Sequence, residues 1–471
     1  MAAYIPPYPL RPQKALPPLA LLRLARRNLL AIWPEETFSK TIFGHRLFRR
    51  GVIVVNSPET VKQTFVDGAA AYEKKSPQQR NALKPLIGDG LFISDGEIWR
   101  NRRKVVAPVT HISRLPELTE GISAGAGAHL ASWKALPEGA EIDALADMAH
   151  LTAGIICATI FGRKLGTKAA ETIVSAFSVY QKLINQMDVL SLIGVPDFLP
   201  RFQGFRIRAA ARRIHTVLDG LIDSILADKN ASETSLLRSM SQTKIGDTGT
   251  AMDHRAFRDE AAVLFMAGHE TTANTLAWAW FLLSQDPETE RRLHAEVDAV
   301  LGEGPAQFAD FAKLPFSRAI IEETLRLYPP VPLQARTAAE DQTVGGRSVK
   351  KGDLVILNAW LLHRHKSLWD QPDTFLPDRF MPGGSGIPSR YAYVPFSIGP
   401  RVCTGAAFGL TEAVLCLATL ARHVRLRLKP DWVVEPVCRL SLRPGERLPM
   451  LIEHRRAAVA AVAEDVAETL P

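Results

Sequence analysis

From Phe257 to Ser284 apolar side chains recur with helical spacing over roughly 28 residues, a rod of about 42 Å at 1.5 Å per residue. A helix of that length crosses a whole domain, so the rest of the chain has to be built around it. It is not a membrane span, because Gly268-His-Glu-Thr-Thr-Ala-Asn-Thr275 interrupts its apolar face. Polar groups in the middle of a buried helix are costly unless hydrogen-bonded. Thr271 can return its hydroxyl to the carbonyl of Ala267, four residues back, which opens the helix locally and frees backbone groups for water or a ligand. Glu270 beside it can relay protons. Taken alone, Glu-Thr-Thr reads more readily as a polar patch facing another helix.

A second stretch, Phe396-Ser-Ile-Gly-Pro-Arg-Val-Cys403-Thr-Gly405, precedes another run of helical periodicity. Cys403 therefore sits at or just before a helix N-terminus, where unpaired amides and the positive end of the dipole favour a thiolate. A thiolate is the form that ligates metal or attacks as a nucleophile. Gly399 and Gly405 let the backbone approach something flat or turn tightly, Phe396 supplies an aromatic wall, and Arg401 a fixed cation. An isolated cysteine would read as a small core hydrophobe. The full spacing Phe-x-x-Gly-x-Arg-x-Cys-x-Gly is too specific for that reading.

Two further pairs carry weaker signals. Trp99 and Arg103 lie four apart on one helical face, where indole N–H and guanidinium can both bond an anionic group; a solvated basic helix with its tryptophan packed inward is the plain alternative. Glu323 and Arg326, three apart, are by themselves an ordinary surface pair worth perhaps ~0.3 kcal/mol. After them Pro329-Pro330 stops the helix, Leu354-Val-Ile-Leu357 reads as a strand, and Phe375-Leu-Pro-Asp-Arg379-Phe380 comes just before the cysteine stretch.

With these motifs in this order, the sequence resembles the cytochrome P-450 haem-thiolate monooxygenases, from about Arg50 to Arg455, and looks closest to soluble bacterial members. The resemblance implies a mainly α fold with small β-sheets, holding haem b between the long helix and the cysteine loop. It implies that Cys403 is the proximal iron ligand and that Trp99, Arg103, Arg401 and, less directly, Arg336 bind the haem propionates. Phe396, Gly399 and Gly405 complete the cofactor loop. Ala267-Gly-His-Glu-Thr-Thr272 matches the family's oxygen-activation motif, which makes Glu270 and Thr271 the catalytic pair. Glu323, Arg326 and Arg379 become a structural triad behind the loop. Phe92, Leu264, Ala267, Val331 and Leu333 are expected to line an apolar substrate pocket. The implied reaction inserts one atom of dioxygen into a small apolar organic substrate. A peroxide-driven peroxygenase on the same fold, or a haem sensor or carrier without turnover, are the other classes to be weighed.

Composition sets the remaining expectations. Charged residues are 23% and hydrophobic ones 46%, and the net charge of +8 has no long basic run behind it, which disfavours nucleic acid as a partner. The four cysteines show no Cys-x-x-Cys spacing, so neither a zinc site nor a disulfide framework is expected, and a cytoplasmic setting fits. Without a GxGxxG nucleotide motif or a cysteine cluster, electrons must come from a ferredoxin or a flavodoxin or flavin reductase, docking on the basic face around Arg100, Arg102 and Lys104. Residues 1–49 are expected to pack on the body as a segment without a transmembrane anchor, an amphipathic helix there either lying on the protein or touching a membrane surface. Residues 50–455 form one catalytic domain and 456–471 an alanine-rich tail, the whole acting as a monomer. The two prolines in 189–200 suggest a lid or a packed loop.

Overall fold

A computed structural model describes residues 4–47, 50–162, 167–184, 205–227, 240 and 252–455. The segment 189–200 and the tail 456–471 lie outside the described residues.

The long helix runs from His254 to Gln285, a little longer at each end than its apolar periodicity predicts. Asp253 explains the start: its carboxylate accepts the Ala256 N–H at 2.7 Å and caps the first turn. This central helix packs on the helix Ala144–Thr159, and Gly268 sets their approach. A Cβ at Gly268 would lie 2.4 Å from Ile156 Cδ1, so a larger residue would push the two helices apart. Thr152 then reaches across to donate to the His269 carbonyl at 2.9 Å. The helix Ala406–Ala421, which follows the cysteine loop, packs on Leu115–Lys134 and on the central helix. One apolar core joins these helices.

The three-stranded sheet near the C-terminus packs into that same core through Leu426, Met450 and Ile452, whereas the largest sheet has a smaller core of its own, built from residues such as Val55, Val355 and Leu357. The largest has five strands in the order Ile42–Leu47, Arg50–Val55, Leu354–Asn358, Leu333–Thr337 and Lys74–Lys75. Its centre pairs Val52 to Val55 in parallel with Leu354 to Leu357. The strand predicted at 354–357 is present. Ile42–Leu47 pairs antiparallel with Arg50–Val55, so the sheet takes in residues on both sides of position 50. Ser57 caps the next helix with Pro58 at its first position, as the Ser-Pro pair predicts.

The N-terminal segment is strapped to the body. Pro7 O accepts the Tyr328 hydroxyl at 2.7 Å, Tyr4 O accepts the Phe375 N–H at 2.9 Å, and Arg11 pairs with Asp373. The short amphipathic helix Pro18–Arg27 follows. Among the described residues no helix is long and apolar enough to cross a membrane.

Candidate active site

The cysteine loop is shaped by its backbone. Ser397 and Gly399 have φ of 66° and 74°, in the left-handed region, and a Cβ at Gly399 would stand 1.9 Å from the Phe65 carbonyl oxygen. Glycine is required there by the chain in front of it. Gly399 does not line the cavity, so its expected role in the cofactor loop is corrected to a turn against Phe65. The Cys403 N–H closes the loop onto Phe396 O at 2.9 Å, and Thr110 donates to Thr404 O at 2.9 Å. Phe396, Cys403 and Gly405 all face the same cavity.

Cys403 is solvent-accessible and lines that cavity, although its sulfur lies deep among protein atoms. Burial pushes its thiol up, while the Gly405 N–H and the Arg103 guanidinium pull it down without cancelling the rise. The helix begins at Ala406, beyond the sulfur. Cys403 thus lies just before the helix start, as the sequence predicts, and the Gly405 amide favours its thiolate while burial acts against it. A metal ion bound at the sulfur removes that proton outright.

The cavity wall beside the sulfur concentrates positive charge. Trp99, Arg103 and Arg401 all line it, as the motifs imply. Arg401 is partly committed: its Nη atoms donate to Ser94 O at 2.8 Å and Asp95 Oδ1 at 3.1 Å, and its guanidinium lies over the Trp99 ring at 4.4 Å. Its Nε has no partner among the described residues. Arg336, 2% exposed, has one donor on the Ala335 carbonyl and an unpartnered Nη2. Burial first, then the neighbouring Arg401, lowers Arg336 to about 9. Lys75, which the sequence reading passed over, is buried on the same wall, and burial, Arg336 and Arg401 depress it well below its usual range.

Lys75 and Arg401 on the cavity wall, with the buried Arg336 beside them though not itself lining the cavity and Asp95 the carboxylate bonded to Arg401, call for anionic groups in the cavity. A flat group with two carboxylate arms and a thiolate-seeking metal meets that demand, so these residues fit haem b.

The central helix forms the opposite wall through Leu264, Ala267, Gly268 and Thr271. Thr271 Oγ1 donates to Ala267 O at 2.7 Å, and Thr275 Oγ1 to Thr271 O at 2.9 Å, the back-bonding expected from the sequence. Glu270 behaves differently. It faces a second, larger cavity, and its carboxylate is bound by Arg443, Ser441 and Asn274. Burial pushes that carboxylate up, but Arg443, His269 and Ser441 outweigh it and hold Glu270 below the usual carboxylate range.

The second cavity, about 1770 Å³ including its open mouth, is almost wholly apolar. Gln79, Phe92, Ala267, Thr271 and Val331 line both cavities, so the two adjoin at Thr271. Leu333 lies on the second and Leu264 on the first.

Behind the loop, Arg326 holds Glu323 through two bonds of 2.7 Å and donates to the carbonyls of His363, Pro372 and Thr374. Arg379 Nε lies 3.5 Å from Glu323 Oε1, and all three side chains are buried. His363 carries this brace to the loop: its Nε2 accepts the Val394 N–H at 2.9 Å while Nδ1 faces Arg326 O at 3.2 Å. No motif marks His363.

Glu412 was also missed. It is fully buried on the helix after the cysteine, bonded to Thr272 Oγ1 at 3.1 Å, and burial pushes its carboxyl up to about 8. On the surface, Arg102 is corrected as a docking residue: its side chain is only 12% exposed and bonds Glu260 at 2.9 Å. Glu260 in turn accepts the Leu91 N–H at 2.9 Å, which fixes the Phe92 loop. Arg100 and Lys104 are exposed at the positions expected.

The family described as Cytochrome P450 matches residues 21–446 of the chain. Cyclooctatin synthase of Streptomyces melanosporofaciens is 33% identical over 415 residues, covering 87% of this chain and 88% of that protein. Cyclooctat-9-en-7-ol 5-monooxygenase of the same organism is 29% identical, over 84% of this chain and 85% of its own. Among solved structures, the cytochrome P450DA heme domain superposes with a TM-score of 0.77 at 22% identity, covering 96% of this chain and 99% of that one.

Proposed function

The chain belongs to the cytochrome P450 family, a haem b oxidoreductase of the monooxygenase type, and from that premise we propose that it oxidises a bulky, apolar, cyclic substrate of terpenoid kind. The large apolar cavity that Thr271 helps to line is the observation that carries this reading. The name of the 5-monooxygenase relative points to a cyclic alcohol, and a pocket walled by Phe92, Met266, Val331 and Leu333 suits a fused hydrocarbon ring.

In this reading Cys403 ligates the iron, and Lys75, Arg336 and Arg401 neutralise the propionates with Trp99 and Arg103. When bound there, haem supplies a redox iron whose anionic sulfur ligand favours cleavage of the O–O bond. The protein does the rest. The Thr271 hydroxyl, its hydrogen on Ala267 O, presents oxygen lone pairs to the cavity and can accept a proton from one side as it gives one to the other. Glu270 restores that proton after collecting it from solvent. Phe92 and Val331 exclude bulk water from the place where the substrate sits.

Residues 50–455 work with the N-terminal strap as one catalytic body, a monomer in the cytoplasm. Electrons arrive from a separate acidic redox protein, a ferredoxin or flavodoxin, at the face of Arg100 and Lys104, so transfer slows as ionic strength rises. Spectral titration with terpenoid alcohols, fatty acids and small aromatics tests the substrate class. Tight, saturable perturbation by the cyclic terpenoids alone supports it, and a preference for fatty acids overturns it.

A further inference from the structure

The Glu270 carboxylate is held more firmly than a proton carrier needs to be. Arg443 grips both its oxygens, Nε to Oε1 and Nη2 to Oε2 at 2.9 Å each, and Ser441 Oγ donates to Oε1 at 2.6 Å. Asn274, one turn along the central helix, adds a fourth bond at 2.9 Å. Three of these donors saturate Oε1 and Arg443 also holds Oε2, so the anion is strongly favoured over the protonated acid. It also lines the second cavity and not the one that holds Cys403.

Arg443 and Ser441 come from a hairpin in which Val437 and Cys438 pair with Arg443 and Leu442. The turn of that hairpin, Arg439 to Ser441, is part of the wall of the apolar cavity. Beyond the turn its far strand is fastened, Leu442 donating to Pro330 O at 3.0 Å and accepting from Trp278 Nε1 at 3.3 Å. These two anchors lie on Leu442, outside the turn itself. Arg443 also has a second carboxylate within its field: Glu446, bonded to Arg439 at 3.0 Å and to Lys182 at 2.8 Å, is stabilised as an anion in part by Arg443. A further ionisable neighbour is His269 on the central helix, which burial lowers below its usual range and whose Nδ1 is occupied by Phe265 O at 2.8 Å.

We propose that Arg443 is a positioning residue that pins the Glu270 carboxylate on the hairpin side, and that an occupant of the apolar cavity, pressing on Leu440 and Ser441, releases it for proton transfer to Thr271. On release Arg443 turns toward Glu446, so its charge is never left unpaired. Glu270 then takes a proton from solvent at the oxygen Arg443 has vacated and passes it on; no electrons move in this step. The inference rests on the reading of Glu270 as a proton carrier.

The test compares the holoenzyme with its Arg443→Gln and Arg443→Lys variants, using Glu270→Gln as the reference. Infrared difference spectra over a pH titration follow the protonated carboxyl band that Glu270→Gln removes. Arg443→Gln should raise the pH at which that band forms by about two units, the usual effect of losing an adjacent cation, and Arg443→Lys by less. Saturating the wild type with a substrate should move the band in the same direction. The pH profile of product formed per dioxygen consumed should shift alongside, with a larger solvent deuterium effect in the wild type than in Arg443→Gln. If neither substitution nor substrate moves the band, the pin does not exist and the proposal is overturned. If the band moves while Glu270→Gln leaves coupling and the isotope effect unchanged, the pin stands and the proton-carrier reading is what fails. Circular dichroism of each variant separates these results from misfolding, and Arg443→Lys keeps the charge should Arg443→Gln not fold.

Discussion

The bridge between the Glu323 brace and the cysteine loop is a single imidazole, and its protonation should be visible in the stability of the whole protein. His363 is fully buried, with Nε2 accepting the Val394 N–H and Nδ1 bonded to Arg326 O. A proton on Nε2 would set two donors against each other beside Arg326. Burial, then Arg326, accordingly lowers His363 to about 3. In the unfolded chain the same ring titrates near 6.5. Between those values the unfolded state binds one more proton than the native state, so stability is present above about pH 6.5 and is lost as pH falls toward 3. The slope for one group is roughly 1.4 kcal/mol per pH unit, or about 2 kcal/mol between pH 6.5 and 5. The perturbation is His363→Leu, which fills the space without a titrating group. At pH 7 it leaves the Val394 N–H and the Arg326 carbonyl unpartnered and should cost about 2–6 kcal/mol. Urea unfolding followed by circular dichroism from pH 7 to 5 gives both quantities. The difference between wild type and variant should shrink by about 2 kcal/mol over that range. Two other buried histidines, His129 and His294, are lowered to about 4 and about 3, but they contribute equally to both proteins and drop out of the difference. Parallel stability curves would refute the reasoning.

Gly399→Ala should prevent stable haem incorporation, because the new methyl meets the Phe65 carbonyl; a normal absorbance ratio of haem to protein would contradict this. Replacing Lys75 and Arg336 together by Met removes two buried cations, and should accelerate haem transfer to apomyoglobin by at least about tenfold if each contributes about 1 kcal/mol through its propionate contact. Thr271→Ala should lower product formation by roughly a hundredfold or less while peroxide release rises, measured as product and peroxide per dioxygen. Glu412→Gln, the isostere of an acid already protonated at neutral pH, should fold normally. Because burial raises Glu412 above its unfolded value, its native state holds the extra proton from about pH 4.5 to 8, so wild-type stability relative to the variant falls as pH rises across that window.

What was legible in the sequence was local. The cysteine loop, the Thr271 to Ala267 bond and the Glu323–Arg326 pair are each made within a few residues, so spacing alone carries their geometry. What was missed is made by contacts distant along the chain. Ser441 meets Glu270 across 171 positions, and Val394 meets His363 across 31, with no periodicity to announce either. Nothing in the sequence around Lys75 sets it apart, and only the sheet carries it beside Arg336, with which it pairs through the backbone. The Cys403 thiol shows a different limit. Helix amides and a nearby arginine can be read from sequence, whereas the depth of burial that outweighs them cannot.

The parallel pairing of Val52–Val55 with Leu354–Leu357 also governs the order in which the molecule can be assembled. Synthesis at about 5–20 residues per second separates the two strands by roughly 15 to 60 s, during which the first hairpin waits with an open edge. The Pro7 carbonyl waits likewise for Tyr328, and Tyr4 for Phe375. Since Phe396 to Gly405 emerges later still, the haem pocket closes only after nearly the whole chain has left the ribosome. Cofactor capture is therefore a late event, and a chaperone that shields the waiting edge strand would raise the yield of loaded protein more than added haem would.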